Sequence, residues 1–208
     1  MTDTVAVFDF DGTITRRDSM AEFLLAAVPT RRLWPAAASL APAALAFGLG
    51  LLDNSTFKER VVTRFFAGTP APEFEQLALD FAIRRLQRLV RPAALERLHW
   101  HLNERHRVVI TTASLEAYVG PWARQHGIDD VLGTRLEVDE AGRLTGRLQG
   151  RNCYGAEKVA RLRALVGDLT GSTVYAYGDS QGDRELMALA TYAAYRPFRM
   201  PQVAGGSS

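Results

Sequence analysis

Short apolar runs that each end in small polar or acidic residues constrain the fold of this chain more than any other feature. Three stand out, Val5–Phe8, Arg107–Thr111 and Thr173–Tyr177, and Tyr192–Tyr195 is a fourth candidate. They are rich in β-branched and aromatic residues and do not alternate with polar ones, which is typical of strands buried on both faces of a parallel sheet. The sequence therefore predicts an α/β class fold.

Helical patterns lie between these runs and complete the alternation expected of βαβ units. A stretch with apolar–polar alternation around a Gly-containing turn predicts, in addition, a β-hairpin over Thr134–Gly150. The predicted helices of the α/β part are Pro92–Arg105, Leu115–His126, Ala156–Val166 and Gly182–Ala190.

Residues 16–89 contain no good strand pattern and interrupt the alternation directly after the first run. We expect a core formed by residues 1–15 and 90–208, with an all-helical insert formed by residues 16–89. The helices predicted within the insert are Met20–Val28, Arg32–Leu52 (interrupted by prolines), Thr56–Phe66 and Pro72–Leu89.

The composition excludes several classes of protein. The formal net charge is only +2 and no block of Lys and Arg is present, so nucleic acid is not an expected partner. Cys153 is the single cysteine, which rules out a disulfide within the chain and suits a reducing cytoplasm. Acidic residues near the N-terminus interrupt any signal-peptide core, so a cytoplasmic location is expected. The oligomeric state stays open.

The stretch Leu33–Leu52 holds no charged residue and is long enough to cross a bilayer. It is rich in Ala and is interrupted by prolines and glycines, which disfavours a single spanning helix. We favour a buried or lid-forming helix pair, with membrane-surface contact as the main alternative and a true span as the least favoured one.

Acidic side chains follow the first and third runs. Asp9 and Asp11 end the first, and Asp179 and Asp183 follow the third. Because the carboxyl ends of parallel strands meet at one edge of the sheet, these groups are expected to gather there. Clustered carboxylates without Cys or His ligands suit a hard cation, so we predict Mg²⁺ rather than Zn²⁺.

A phosphate group is the expected companion of this cation, since Mg²⁺ bound by carboxylates keeps coordination positions for phosphoryl oxygens. Thr112, after the second run, offers a hydroxyl for such a group. Lys158, one of only two lysines, offers a compact positive charge.

The motifs FDFDGT, a strand ending in Thr, a downstream Lys and GDSQGD together resemble the haloacid dehalogenase (HAD) superfamily. The helical insert and the stretches GRLTGRLQG and GAEKVARL resemble its subfamily IB, the branch that contains phosphoserine phosphatase. The resemblance implies a Rossmann-like HAD core with an inserted helical cap of the C1 type. It also implies a Mg²⁺-dependent phosphomonoester hydrolase that works through an aspartyl-phosphate intermediate.

The resemblance also implies a role for each motif residue. Asp9 is the nucleophile, and Asp11 is the general acid and base whose backbone carbonyl also ligates Mg²⁺. Thr112 is preferred to Thr111 as the residue that binds the phosphoryl group. The remaining implied roles are phosphate binding by Lys158, metal ligation by Asp9 and Asp179, and orientation of the site by Asp183.

Two residues of the insert are candidates for substrate selection. In phosphoserine phosphatases an acid nine residues after the nucleophile binds the substrate amine, and here that position is Asp18. The segment containing Arg60 is similar to the segment that binds the substrate carboxylate. We therefore expect a small, amino-acid-like phosphate such as phosphoserine or histidinol phosphate. The uncharged 33–52 stretch keeps open a phosphatidylglycerophosphate-like substrate or a membrane-associated phosphate-binding protein without turnover, and phosphotransfer to another alcohol is a further alternative.

Overall fold

A computed structural model describes residues 4–199, so residues 1–3 and 200–208 of the expected core lie outside the described part of the chain. Five of its strands form one sheet in which every neighbouring pair is parallel, as predicted. In chain order the seven strands are β1 Thr4–Phe8, β2 Arg107–Leu115, β3 Asp130–Thr134, β4 Leu136–Val138, β5 Leu144–Leu148, β6 Thr173–Gly178 and β7 Tyr192–Tyr195. The order across the large sheet is β3-β2-β1-β6-β7.

Strand β1 lies at the centre of this sheet and is buried on both faces. Val5 and Val7 belong to the smaller apolar core on one face, while Ala6 and Phe8 belong to the larger core on the other. An apolar residue is therefore needed at each of these positions, which explains why the first run does not alternate with polar residues.

Helices connect the strands and form the whole insert. In the α/β core they are α6 Pro92–Asn103, α7 Glu116–Gln125, α8 Ala156–Val166 and α9 Arg184–Leu189. In the insert they are α1 Ser19–Ala27, α2 Thr30–Ser39, α3 Ala41–Gly48, α4 Asn54–Phe66, α5 Ala71–Arg84 and the short 3₁₀ turn Leu86–Leu89. The predicted fold class is confirmed.

The insert leaves the core and returns to it at one point, just beyond the end of β1. The backbone N–H of Arg16 donates to the carbonyl of Leu89 (2.8 Å), and that of Arg91 donates to Ile14 (2.8 Å). These bonds place the start and the end of the insert side by side, next to the edge of the sheet where the acidic motifs were predicted to gather.

An aromatic cluster attaches the insert to the core. Phe23 of α1 lies against Phe66, Phe74, Phe81 and Tyr118, with ring centroids 5.2–5.8 Å away. Tyr118 belongs to α7, so the cluster joins helices of the insert to a helix that flanks the sheet. Aromatic packing of this kind stabilises the position of the insert beyond the area it buries.

The predicted hairpin is present as the antiparallel pair β4–β5, and it contacts the insert through helix α4. Thr63 of α4 donates its hydroxyl to the carbonyl of Gly146 (2.9 Å), and Glu59 accepts the backbone N–H of Leu148 (3.0 Å). Helix α4 therefore rests on the hairpin.

Two strand predictions were incomplete. Strand β3 was not predicted, because its sequence begins with an acid, contains Gly133 and is too short to show a periodic pattern. Strand β2 extends to Leu115, whereas the sequence predicted a strand end at Thr111 and a helix from Leu115. The irregular pairing with β3 after Thr111 shows that this extension is a bent strand end rather than a regular strand.

The uncharged stretch 33–52 forms two short helices, α2 and α3, that meet at Leu40. Pro35 lies inside α2 and Pro42 at the start of α3, where a missing N–H is tolerated. Within residues 4–199, no helix has both the length and the apolar character needed to cross a membrane.

Candidate active site

The parallel register brings the predicted motifs to one edge of the sheet. Phe8, the last residue of β1, pairs with Ile110 of β2 and with Tyr177 of β6, so the residues that follow these three positions lie at the same edge of the sheet. Asp9 directly follows Phe8, and its backbone N–H donates to the carbonyl of Tyr177 (2.9 Å). Asp179 directly follows the end of β6. The fold therefore brings these motifs together, as was predicted from the residues at the ends of the apolar runs.

Lys158 lies between two carboxylates at the bottom of the site. Its ammonium donates to Asp9 Oδ1 (2.5 Å) and to Asp183 Oδ1 (2.6 Å), and its side chain is only 2% exposed. Asp9 Oδ2 accepts the hydroxyl of Thr13 (3.1 Å), so both oxygens of Asp9 are held in place. A lysine at the start of α8 thus orients an acid 149 positions earlier in the chain.

The buried charges shift one another's protonation. Burial raises the pKa of Asp9 to about 7, with Asp183 adding to the rise and Lys158 opposing it. Burial alone would lower the pKa of Lys158, but Asp9 and Asp183 outweigh it and hold that pKa above its ordinary value. Asp9 therefore needs further positive charge nearby to stay ionised at neutral pH.

A group of three carboxylates could supply oxygen ligands to a metal ion. Oxygen atoms of Asp9, Asp179 and Asp183 all lie within 4.8 Å of one another. These three negative charges meet two positive ones, Lys158 between Asp9 and Asp183 and Arg199, which donates to Asp179 Oδ2 (2.8 Å). One negative charge remains in excess, which favours binding of a cation. All three donors are hard oxygens, so the residues present fit Mg²⁺, with Asp9 and Asp179 as the predicted side-chain ligands.

Gly12 makes room for Asp179. The chain turns sharply after Asp9, and Gly12 has a φ of 76°, which favours glycine. A Cβ atom at this position would lie 2.2 Å from Asp179 Oδ2. The glycine of the DG pair therefore has a second function besides the turn, because it lets a carboxylate from β6 approach the β1 backbone closely.

Asp183 holds the loop that carries Asp179. Its Oδ2 accepts the backbone N–H groups of Asp179 (3.1 Å) and Ser180 (3.1 Å) as well as the Ser180 hydroxyl (2.9 Å). Burial opposes ionisation, yet Lys158 and these donors hold the pKa of Asp183 below its ordinary value. This position agrees with the orienting role expected for Asp183.

Asp11 points into a separate polar pocket below the insert. Its Oδ1 accepts the backbone N–H of Ser19 (2.8 Å) and the hydroxyl of Thr15 (3.2 Å), while Ser114 donates to Oδ2. Burial, together with the charge of Asp18, raises the pKa of Asp11 to about 6, against the hydrogen bonds from Ser114 and Ser19 that lower it. A carboxyl group with this pKa can both carry and release a proton near neutral pH.

The two threonines at the end of β2 are both buried. The Oγ1 atom of Thr112 accepts the backbone N–H of Ser114 (2.9 Å), which leaves its own proton free for a phosphoryl oxygen. The hydroxyl of Thr111 has no hydrogen-bond partner within the described chain. The choice of Thr112 as the phosphate-binding residue stays a prediction.

The insert contributes to the site a cation, Lys58, that was not selected from the sequence. Lys58 of α4 donates to the carbonyl of Ala113 and to Asn152 Oδ1 (2.7 Å). Asn152 in turn donates to Asn54, one helical turn before Lys58 (2.7 Å). Burial lowers the pKa of Lys58 to about 8, against the opposing charges of Asp11 and Asp18. The signal available in the sequence was that the chain has only two lysines, and that the other one, Lys158, lies in a motif of the predicted site.

The two predicted substrate-selecting residues differ in their position relative to the site. Asp18 is near enough for its charge to act on Asp11 and Lys58, whereas Arg60 has no contact with the motif residues among the hydrogen bonds and salt bridges of the described chain. Asp18 is exposed and caps α1, where its Oδ1 accepts the backbone N–H of Ala21 (2.9 Å). Arg60 lies on the exposed side of α4, away from the face that carries Lys58. The structure thus brings Lys58, and not Arg60, next to Ala113 in the turn that follows Thr112.

The site is covered by the insert in this structure. Asp9, Thr112, Lys158 and Asp183 are all buried. A cavity of about 760 Å³ lies elsewhere, against β6 and β7, where Trp100 and Tyr192 are among the residues that line it. This cavity contains none of the motif residues, so it is separate from the acidic site.

Comparisons with known proteins agree with this geometry. The family model of the haloacid dehalogenase-like hydrolases matches residues 6–188. The chain is 37% identical to Protein CicA of Caulobacter vibrioides over 196 residues, which cover 94% of this chain and 86% of that protein.

Solved structures share the same architecture. A protein with unknown function from Bordetella pertussis Tohama I superposes with a TM-score of 0.78 at 25% identity, over 93% of this chain and 89% of that one. A phosphoserine phosphatase captured as a phospho-aspartyl intermediate analogue superposes with a TM-score of 0.61 at 18% identity, over 93% of this chain and 86% of that one, and this likeness concerns the fold alone. The family match spans the motifs assembled at the edge of the sheet, and the chain belongs to the haloacid dehalogenase-like hydrolase family.

Proposed function

We propose that this hydrolase is a Mg²⁺-dependent phosphatase that cleaves small organic phosphomonoesters through an aspartyl phosphate on Asp9. The observation that supports this most directly is the arrangement of Asp9, Asp179 and Asp183 within 4.8 Å of one another around the ammonium of Lys158. When bound, Mg²⁺ would neutralise charge on the phosphoryl oxygens and keep Asp9 ionised.

Asp9 is the proposed nucleophile. A carboxylate oxygen of Asp9 attacks phosphorus while the bond to the substrate oxygen breaks, which divides the reaction into two easier steps. Lys158 and Thr13 fix the direction of the carboxylate before the attack. Lys158 and Thr112 are placed to stabilise the negative charge of the phosphoryl oxygens in the transition state.

Asp11 is the proposed proton carrier. In its protonated form it donates to the departing alkoxide, and its carboxylate then takes a proton from the water that hydrolyses the aspartyl phosphate. The hydrogen bonds from Ser19, Thr15 and Ser114 hold its side chain in one orientation. Water as acceptor is the simplest outcome, and adding acceptor alcohols with analysis of the products would detect phosphotransfer.

Residues 16–89 are proposed to act as a cap that opens to admit substrate and closes to exclude water. The buried state of Asp9 and Lys158 supports this, since neither can meet a substrate while the cap is closed. Lys58 is a cap cation that contacts Ala113, directly after Thr112, and is our candidate for binding an anionic part of the substrate. Asp18 has one carboxylate oxygen left for an amine, so an amino-acid-like phosphate remains our first substrate proposal.

The second candidate substrate is a lipid phosphate such as a phosphatidylglycerophosphate. The uncharged stretch 33–52, with exposed Trp34, Leu45 and Leu49, favours it, because an apolar cap surface suits a lipid environment. A phosphate-binding protein without turnover is the alternative that would leave the acidic site unused.

A direct assay separates these proposals. Release of p-nitrophenol from p-nitrophenyl phosphate is measured with Mg²⁺ and with EDTA, for the wild type and for Asp9→Asn. Turnover that requires Mg²⁺ and Asp9 supports the mechanism, while full activity in EDTA or in the variant contradicts it. A panel of phosphoserine, histidinol phosphate and phosphatidylglycerophosphate then identifies the substrate class, and absence of turnover on every ester would favour the binding protein.

A further inference from the structure

The outer surface of the cap is unusually apolar. We call residues 33–52, which contain most of α2 and all of α3, the apolar hairpin. Its large side chains point into solvent: Leu51 is 77% exposed, Leu45 and Leu49 are each 65% exposed, and Trp34 is 63% exposed. A helix on the surface of a water-soluble protein ordinarily presents polar residues outward. A group of large exposed apolar residues in one segment indicates an interaction surface.

The apolar hairpin is held in place rather than loosely attached. Three of its own residues, Leu33, Ala36 and Ala43, are buried on the side that faces the protein. Phe47 stacks on Phe57 of α4, with ring centroids 4.8 Å apart. The protein therefore has a small buried contact on the inner side of the hairpin and still leaves the larger apolar residues outside. The exposed residues are displayed on a fixed support.

Positive charge borders this surface. Arg31, Arg32 and Arg64 line one cavity of about 220 Å³ together with Pro35 and Phe65. Among the carboxylates of the described chain, none forms a salt bridge with these three arginines. Three uncompensated guanidinium groups around one small cavity are complementary to a phosphate-bearing headgroup.

We propose that the apolar hairpin docks onto the surface of an anionic phospholipid bilayer. The exposed leucines and Trp34 enter the boundary between headgroups and acyl chains, and the three arginines contact lipid phosphates. Helices of ten and eight residues are too short to span the bilayer, so the contact is interfacial. This docking does not depend on the proposed catalytic function.

Charge argues against a second copy of this chain as the occupant. A symmetric contact between two hairpins would place two sets of three arginines, none of them in a salt bridge within the described chain, at one interface, and like charges near one another destabilise an interface. An anionic bilayer provides the opposite charge over the whole surface and also accepts the apolar residues.

Vesicle flotation of the full chain tests the proposal. Vesicles of phosphatidylcholine with one quarter phosphatidylglycerol are compared with vesicles of phosphatidylcholine alone, at low and high salt. The wild type is expected to float with the anionic vesicles and to be released by salt. Wild-type protein that stays with the soluble fraction under all these conditions overturns the proposal.

Two pairs of variants identify the contacts. Leu49→Glu with Leu51→Glu should weaken vesicle binding about tenfold or more, while Ile83→Glu with Val138→Glu, also at exposed apolar positions, should leave it unchanged. Equal loss of vesicle binding in both double variants, or no loss in the Leu49/Leu51 variant, contradicts docking through the apolar hairpin.

Replacing Arg31, Arg32 and Arg64 by Gln should remove the preference for anionic vesicles. Each arginine lost should weaken binding to these vesicles about fivefold. The matched control replaces Arg84, Arg85 and Arg88, which are also exposed, by Gln. Turnover of p-nitrophenyl phosphate in solution, or the thermal transition should no turnover exist, shows that each variant is folded. Self-association that disappears in the hairpin variants, without vesicle binding, would make a second copy the occupant and overturn the proposal.

Discussion

Replacing Gly12 by Ala should damage the metal site without unfolding the protein. Two effects are expected from the structure. The added Cβ must occupy a backbone conformation with φ of 76°, which costs about 1 kcal/mol. It would also lie 2.2 Å from Asp179 Oδ2, so the Asp179 carboxylate has to move away from Asp9.

Gly127→Ala provides a matched control. Gly127 also has a φ of 76°, but a Cβ atom there would have no neighbour within 4 Å. Both variants should therefore lose about 1 kcal/mol of unfolding free energy, or about 3 °C in the midpoint of thermal unfolding. Only Gly12→Ala should displace the Asp179 carboxylate. The difference between the two variants in their response to Mg²⁺ therefore measures the effect of displacing the Asp179 carboxylate.

The assay combines thermal unfolding with magnesium titration. In the wild type and in Gly127→Ala, Mg²⁺ should raise the unfolding temperature and support turnover of p-nitrophenyl phosphate. In Gly12→Ala, the Mg²⁺ concentration needed for half of either effect should rise about 10- to 100-fold, as expected when a ligand is moved out of position. Identical magnesium responses in the two variants would refute the reasoning that Gly12 is needed for the approach of Asp179.

Three further predictions concern single side chains. Asp11→Asn should lower kcat about 10²- to 10⁴-fold, because the departing alkoxide then lacks a proton donor; steady-state kinetics on the substrate found by the ester panel measure this, and an unchanged kcat would contradict the role. Lys58→Met should raise KM about tenfold through loss of a charged contact, whereas Arg60→Met, two positions along α4 and exposed, should change it less than twofold; equal effects in kinetic assays would refute the assignment of Lys58 to the site. Burial lowers the pKa of His101 to about 4, so the folded protein keeps it neutral while the unfolded chain takes up a proton below about pH 6.5. Its contribution to stability is therefore lost as the pH falls from about 6.5 to about 4, and urea unfolding of His101→Gln should show a weaker dependence on pH over this range than the wild type.

The sequence was sufficient for the elements whose determinants are local. The buried central strand, the helices of the insert and the hairpin all follow from patterns within a few turns of chain. The acids that follow the first and third apolar runs were predicted to meet because parallel strands end at one edge, and the approach of Asp9, Asp179 and Asp183 to within 4.8 Å agrees with that prediction. Strand β3 was not predicted because an edge strand of five residues with a glycine carries too little pattern.

Contacts between distant segments required the tertiary structure. Ser114 was visible only as a polar residue after a strand, and its hydrogen bond to Asp11 joins positions 103 residues apart. Asn152, which links the hairpin region to Lys58 and Asn54 of the cap, showed no signal in the sequence.

Lys58 and Arg60 show most clearly what each level of information contributes. The sequence by itself determined that α4 is a helix and that it carries both cations, and two residues apart on a helix point in directions about 200° from each other. It did not determine which of the two faces the site. The tertiary structure decided this. Thr63 and Glu59 bind the β4–β5 hairpin and so fix the rotation of α4 about its axis, which turns Lys58 toward Ala113. That rotation depends on packing between segments far apart in the chain, and a local pattern does not encode it.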